Sequence, residues 1–463
     1  MPPVPADLDR GAEGVGGGMT TGAMKRQPGH PVSLGQVFSL AWPAAVSVLL
    51  NNAFKVIDQY AVQWLGVAAQ AAVGSCTFVL IAFYACYSIT AAGAGPLVAR
   101  ASGARDDQWR RRVIGNGLVG ATVVGILVLT ACGLGAGDIA AWLNLAPPVR
   151  GAAGEYLLWL AWSGFPLTLA PFIDSVFIAM GHIRRVMGLQ ILATILNALL
   201  NPLFIYHWNM GIGGAALATG LSRGISVVLG GWWLVREVGL RWRDLLPDNV
   251  LRWIFSIGLP VAWGTALYAL VYWGLLAWVI SPLGPEVNAA LGIGYSALEG
   301  FTWPLFWGLA AASASLVGRA LGSGELRRVN EVIRGALWLA CGCGMVSALV
   351  FWFGAEPLAA RFTDDPEVLA RAAEYARILA FSQLFVAFEA LAGGVLEGGG
   401  ATKAAFWWSA PFNILRIPLA WYLTFVEGWG AAGVWWAINL TTYAKAAGLW
   451  WQLSRGRWPK LQP

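Results

Sequence analysis

Charge is what this sequence has least of. Only 12% of its 463 residues are Asp, Glu, Lys or Arg, about half the share found in soluble globular domains. A soluble fold is excluded on that ground. Histidine is scarce too, with three scattered residues, and there are five cysteines: Cys76, Cys86, Cys132, Cys341 and Cys343. The cysteines lie in apolar segments without zinc-type spacing or an obvious pairing, so they read as small core residues. No phosphate-binding loop, metal-ligand spacing or nucleophile–base pair is visible, which argues against an enzyme and against direct use of ATP. The net charge of +6 requires no nucleic-acid partner, because the basic residues gather in alternate loops.

What is present is apolar length. Hydrophobic residues make up 58% of the chain, in blocks long enough to cross about 30 Å of hydrocarbon as helices. The predicted crossings are 37–63, 72–98, 113–135, 154–180, 186–206, 212–236, 253–280, 288–318, 332–354, 371–396, 403–425 and 430–452. The chain reads as an all-α polytopic membrane protein with twelve transmembrane helices. Residues 1–33, rich in Gly and Pro, read as a disordered cytoplasmic tail rather than a signal peptide, with Met19 and Met24 as alternative starts. One set of loops holds "ARASGARDDQWRRR", Arg184, Arg185, Arg236, Arg241, Arg243, Arg252, Arg319, Arg327, Arg328, Arg334 and Lys403. The opposite set has only Arg150, Arg361, Arg371 and Arg377. By the positive-inside rule both termini are cytoplasmic in a cell inner membrane.

The chain repeats itself at an offset of roughly 217 residues. "AWPAAVSVLL" at Pro43 recurs as "GLPVAWGTAL" at Pro260, "LVARASGARD" as "LVGRALGSGE", "NALLNP" as "NILRIP" and "GIGGAALA" loosely as "GAAGVWWA". The expected organisation is a six-helix bundle over 34–238, a cytoplasmic linker at 239–252, a second six-helix bundle over 253–455 and a short tail at 456–463. An even number of helices per repeat makes the bundles related by a pseudo-twofold axis along the membrane normal. Paired bundles of this kind rock about a central cavity in many transporters.

Eight ionisable residues fall inside the crossings: Lys55, Asp58, Asp174 and Arg223 in the first half, and Glu299, Glu389, Arg416 and Lys445 in the second. Each would cost about 2.5–3.5 kcal/mol facing lipid, so they must face the interior. They serve there either as salt bridges stapling each bundle or as functional groups. Asp58 shares its helix with Pro43, whose missing N–H permits a hinge. Asn197 and Asn201 are four apart, on one helix face. Pro166 and Pro171 precede Asp174, and Thr219 adds a hydroxyl. If these helices meet, they form a nest of hard oxygens for Na⁺, or a site where a carboxylate takes up and releases H⁺. Glu299, Trp303 and Phe306 share a stripe, with Tyr268 and Tyr272 on the seventh helix and Glu389 on the tenth. Aromatic faces beside a buried carboxylate suit an amphipathic organic cation; the alternative is that the Trp residues are interfacial belts.

This ordered set of features resembles the multidrug and toxic compound extrusion (MATE) family. The residues carrying the likeness are the Pro43 helix with Asp58, "LVARASGARD", the Asn197/Asn201 helix, "GGAALATGLSR", "EGFTWPLFWGLAAASASLVGRALGSG" and "LEGGGATK", over about 34–455. In relatives with a first-lobe cation site the first helix gives an Asp, matched by Asp58. The fifth gives an Asn and an Asp, matched by Asn197 and, in departure, Asn201; the sixth gives a Thr, matched by Thr219. The fourth-helix position, an Asn in such relatives, is Asp174 here. The resemblance implies a cation site with exchanged partners, possible for Na⁺ at Asp58, Asp174, Asn197 and Asn201, while Lys55 beside it tilts the coupling ion toward H⁺. Other branches place acids on the seventh and tenth helices, but the seventh-helix position falls near Tyr268.

The resulting expectation is a monomeric antiporter with no cofactor, exporting small, amphipathic, cationic compounds in exchange for H⁺ or Na⁺. Its coupling residues are Asp58, Asp174, Asn197, Asn201, Thr219 and Lys55. Its substrate residues are Glu299, Trp303, Glu389, Tyr268 and Tyr272. A lipid-linked oligosaccharide flippase of the same superfamily and a membrane scaffold are the rival readings.

Overall fold

The computed structural model describes residues 34–142, 147–163 and 165–456. The sequence-predicted tail at 1–33 and nearly all of that at 456–463 lie outside these, and the side chain of Lys55 is not among those described. The described residues are helical, without strands.

Twelve long helical elements follow the predicted crossings. The first half comprises α1 (Leu34–Val62), α2 (Val67–Ala104), α3 (Asp107–Trp142), α4 in two pieces (Pro147–Ser163 and Phe165–Met180), α5 (Ile183–His207) and α6 (Gly211–Val238). The second half comprises α7 (Asn249–Leu283), α8 in three pieces (Pro285–Ile293, Gly294–Glu299 and Gly300–Gly322) and α9 (Leu326–Phe353). It continues with α10 in two pieces (Pro366–Ala380 and Gln383–Gly398), α11 (Thr402–Trp421, running on through Tyr422–Val426) and α12 (Ala431–Ser454). Eight are long and apolar enough to cross a membrane unaided, and the two bent pairs bring this to ten. The others, α11 and α12, carry Arg416 and Lys445, which lowers their apolar content.

The internal repeat is visible in the backbone. The fourth helix of each half is bent between its pieces, by 59° in α4 and 55° in α10. The fifth helix of each half ends in a widened π segment, Leu203–His207 after Pro202 and Tyr422–Val426 after Pro418. Proline removes an intrahelical hydrogen bond, so a register change just beyond it is physically cheap. The following corners match as well: positive φ at Asn209 and Gly211 recurs at Gly428 and Gly430. Helix α1 is continuous through Pro43, where a hinge is expected; Ser47 Oγ donates to the Pro43 carbonyl at 2.7 Å.

The two halves exchange helix ends. Val37 and Ala41 at the start of α1 are buried in the core formed by Phe306, Leu309, Val332 and Leu391 of the second half. Reciprocally, Val250 and Ile254 at the start of α7 are buried with Val98, Ile114, Phe172 and Val186 of the first. Helix α2 lies against both α7 and α8. One of the closest approaches involves the repeated basic motif. A Cβ on Gly103 would lie 1.9 Å from the Arg319 carbonyl oxygen, and one on Gly322 would lie 2.0 Å from that of Arg100. Only glycine permits this double approach. Arg100 Nη2 also donates to the Gly399 carbonyl at 2.7 Å, and Ser315 Oγ to that of Ile178 at 2.6 Å. The segment 239–252 is fastened to α3: Asp248 caps α7 through the Val250 N–H and pairs with Arg112 at 2.6 Å.

Candidate functional site

Helix α1 crosses α5 and α6 where all three carry polar residues. Asp58, buried at 7% exposure, receives three hydrogen bonds. Asn197 Nδ2 and Asn201 Nδ2 donate to its Oδ1 at 2.9 Å each, and Thr219 Oγ1 donates to its Oδ2 at 2.9 Å. Asn197 and Asn201 are fully buried, and Asn201 Nδ2 also donates to Asn197 Oδ1 at 3.2 Å. The sequence brings these together simply: a four-residue spacing stacks the two amides on one face of α5, one above the other. Three donors on an acceptor-only carboxylate offset the cost of burying it. One atom is left over, because Asn201 Oδ1 is buried without a hydrogen-bond partner. Buried acceptors seldom remain so.

Asp174 is not in this cluster, contrary to the expectation that it joins Asp58. Gln190 Nε2 donates to Asp174 Oδ2 at 2.8 Å, and Gln190 Oε1 in turn accepts from Arg223 Nη1. Arg223 Nη2 donates to Asn51 Oδ1 at 2.6 Å, and its guanidinium lies 4.4 Å from the Phe54 ring centroid. The reason is position along α5. Gln190 lies seven residues before Asn197, about 10 Å along the helix axis, so the two acids sit at different depths. Arg223 is within electrostatic reach of both. The sequence held the signal for Gln190 and Asn51: Gln190, Thr194, Asn197 and Asn201 form one polar stripe, as do Asn51 and Asp58 on α1.

The second half is built differently. Glu299, buried, accepts a hydrogen bond from Tyr375 at 2.5 Å, and Tyr375 packs edge-on against Trp435 at 4.8 Å. Glu389 pairs with Lys445 at 2.8 Å, and Lys445 Nζ also donates to Asn413 Oδ1 at 3.2 Å. The acids expected to await a cationic substrate are thus both engaged already. Arg416 donates to Thr441 at 3.0 Å, to the Tyr272 hydroxyl at 3.3 Å and to Thr442 at 3.4 Å. Tyr272 stands 4.6 Å from Tyr268, Tyr268 stands 5.9 Å from Trp303, and Trp303 stands 6.0 Å from Trp307. Tyr268, Tyr272 and Trp303 are therefore together, while Glu299 and Glu389 belong to separate contacts. Tyr375, Thr441 and Thr442 carry no charge and give no signal beyond being polar within apolar helices, whereas Asn413 is marked by the repeat as the counterpart of Asn197.

Among the described residues no group of three or more His, Cys, Asp or Glu side chains is placed to share a metal ion. Any cation at Asp58 would rest on one carboxylate plus amide and hydroxyl oxygens.

The family model MatE matches residues 43–203 and again 260–422, one copy in each half. The chain is 25% identical over 427 residues to the probable multidrug resistance protein NorM of Acinetobacter baylyi, covering 89% of this chain and 94% of that protein. It is 24% identical over 441 residues to the protein of the same description from Thermotoga maritima, covering 92% and 93%. Among solved structures, a MOP superfamily transporter from Pyrococcus furiosus superposes with a TM-score of 0.85 at 20% identity, over 91% of this chain and 95% of that one. The Vibrio cholerae MATE transporter VcmN in its bent form gives 0.84 at 22% identity, over 91% and 96%.

Proposed function

This chain belongs to the MatE family of multidrug efflux transporters, and we propose that it exports small amphipathic organic compounds by alternating access, with H⁺ binding at Asp58 as the driving step. The observation that carries this reading is the Asp58 cluster: a carboxylate inside the bundle, held by three donors, next to a buried amide oxygen that lacks a partner. The arrangement satisfies an ionised Asp58 completely. Protonation turns one acceptor into a donor, and a half-turn of the Asn201 amide then offers Oδ1 to receive it. The orphan oxygen thus has a use in one protonation state and none in the other, which gives the cluster two distinct arrangements. Coupling needs only that ion and substrate favour different conformations.

Na⁺ is the alternative driving ion, bound by the same carboxylate with amide and hydroxyl oxygens after that rotation. The proton is favoured because the donors already converge on Asp58 and a proton requires one acceptor rather than a shell of oxygens. The proposal places both termini in the cytoplasm of an inner membrane. It is supported by the gathering of Arg111, Arg112 and Arg185 around Asp244, Asp248 and Glu237 at one end of the bundle. Asn197 and Thr219 are positioning residues for Asp58.

The test is efflux from vesicles carrying the purified chain, with the proton and sodium gradients collapsed separately. Loss of efflux with the proton gradient alone supports the proposal; loss with the sodium gradient alone replaces H⁺ by Na⁺. An Asp58→Asn variant that reaches the membrane and still exports at the full rate would refute the role of this site and favour a flippase or scaffold.

A further inference from the structure

Three of the buried cations have described side chains, and they are neutralised unequally. Lys445 contacts Glu389 directly at 2.8 Å. Arg223 reaches Asp174 through a single amide, Gln190. Arg416, only 2% exposed, has no carboxylate within ion-pair distance among the described residues and is held by three neutral hydroxyls, those of Tyr272, Thr441 and Thr442. Glu299 receives the Tyr375 hydroxyl and Glu389 pairs with Lys445, and neither forms an ion pair with Arg416. A buried guanidinium without a counter-ion is costly, and proteins ordinarily pair one. Hydroxyls orient it without cancelling its charge, and three of its five N–H groups suffice for them, leaving two.

An aromatic row runs to this guanidinium. Trp307 is 48% exposed, while Trp303, Tyr268 and Tyr272 are half-buried, each ring within about 6 Å of the next. The Tyr272 ring centroid lies 5.6 Å from the Arg416 guanidinium carbon. Flat apolar faces leading to an unneutralised, forked donor make a complementary surface for an aromatic ring bearing a carboxylate.

We propose that Arg416 anchors the anionic group of the transported compound, so that the substrate class includes aromatic organic acids, with Tyr268, Tyr272 and Trp303 receiving the ring. The assignment rests on the exporter reading above and adds the sign of the substrate's charge, which the two engaged acids of the second half do not supply. Tyr272, Thr441 and Thr442 are then positioning residues that hold the guanidinium flat.

Calorimetric titration of the purified full-length chain in nanodiscs tests this, with three matched probes: 1-naphthoate, the neutral 1-naphthamide and the cationic 1-naphthylmethylammonium. The wild-type chain should bind the carboxylate at least about tenfold more tightly than either other probe, since a charge-assisted forked pair is worth that or more. Arg416→Gln should level the series, and Arg416→Lys should keep the sign of the preference while weakening it. Equal binding of carboxylate and amide by the wild type, or preference for the ammonium, would overturn the proposal even if the Arg416 variants do not fold. Tyr272→Phe keeps the ring and removes the hydroxyl that holds the guanidinium; an unchanged preference in it limits Tyr272 to stacking and overturns its positioning role. The two readings fail separately. Naphthoate binding without ion-driven efflux refutes export and leaves the anion site standing; efflux with preference for the ammonium does the reverse.

Discussion

Asn197 and Asn413 stand at equivalent turns of the two halves and face opposite charges. Asn197 donates its amide N–H to the Asp58 carboxylate at 2.9 Å, whereas Asn413 turns its amide oxygen to the Lys445 ammonium at 3.2 Å. A carboxamide carries both a donor and an acceptor, so it serves either sign by turning over. The repeat has kept the amide and exchanged the ion beside it. In the first half this leaves an acid supported by three neutral donors. In the second it leaves a cation already matched by Glu389. The pseudo-symmetric scaffold therefore carries an asymmetric set of buried charges, an acid among neutral donors in one half and a paired cation in the other.

The choice between H⁺ and Na⁺ has a consequence for stability. A ligand that binds only the folded chain raises its unfolding temperature with concentration. With H⁺ as the coupling ion, thermal unfolding in matched NaCl and KCl should coincide, for the wild type and for Asp58→Asn alike. A sodium-specific rise that vanishes in Asp58→Asn would establish Na⁺ at the cluster instead.

Gln190 joins a half-buried acid, Asp174, to a buried base, Arg223. In Gln190→Leu the Arg223 Nη1 and Asp174 Oδ2 groups each lose that partner, and losing a hydrogen bond to a charged group costs about 1.5–3 kcal/mol. Thr194→Val, one turn along the same stripe, removes only a bond from Thr194 Oγ1 to the Gln190 carbonyl within its own helix and should cost less than about 1 kcal/mol. Thermal unfolding of the two variants should separate them clearly. Equal losses would show that the Asp174–Gln190–Arg223 chain is not what stabilises this part of the bundle.

Much of this was legible beforehand, for identifiable reasons. The crossings follow from apolar length. Helical spacing and the cost of burying charge make Asp58, Asn197, Asn201 and Thr219 candidates for one nest if their helices meet, and the family resemblance is what implies that they do. Asp174 lies apart from the cluster expected for it because sequence specifies which face a residue occupies but not the depth at which neighbouring helices cross. The exchanged ends of α1 and α7 were hidden for a related reason. The repeat defines two halves of sequence, yet nothing in periodicity says that Val37 and Ile254 pack in the other half. Tyr375 could not be assigned to Glu299 because a tyrosine in an apolar helix carries no mark of its partner.

The Glu389–Lys445 pair should show strong coupling. Removing one member leaves the other charge in the interior, at a cost of about 3–5 kcal/mol where burial is complete. Lys445 is nearly so, at 5% side-chain exposure, but Glu389 retains 26%. Lys445→Met should therefore be milder than Glu389→Gln, which strands the fully buried ammonium. The double variant should recover much of the loss, as expected when two apolar or neutral groups replace a pair. Simple additivity in thermal unfolding would mean that the two charges do not stabilise one another.

Alternating access requires some part of the seam between the halves to open, and the reciprocal contact of Gly103 with Arg319 and Gly322 with Arg100 is a tight candidate. Ala99 and Gly318 sit one turn away, where a Cβ on Gly318 would lie 2.6 Å from that of Ala99. Disulfides need about 3.5–4.5 Å between Cβ atoms, so a bridge here requires the helices to part by about an ångström and then holds them. With Cys76, Cys86, Cys132, Cys341 and Cys343 replaced by serine, the pair Ala99→Cys and Gly318→Cys should crosslink under mild oxidation. Efflux should cease with the bridge formed and return on reduction, while each single variant keeps exporting. Full efflux from a quantitatively bridged chain would show that this end of the seam stays closed throughout the cycle, and the moving contact would have to be sought between α1 and α8.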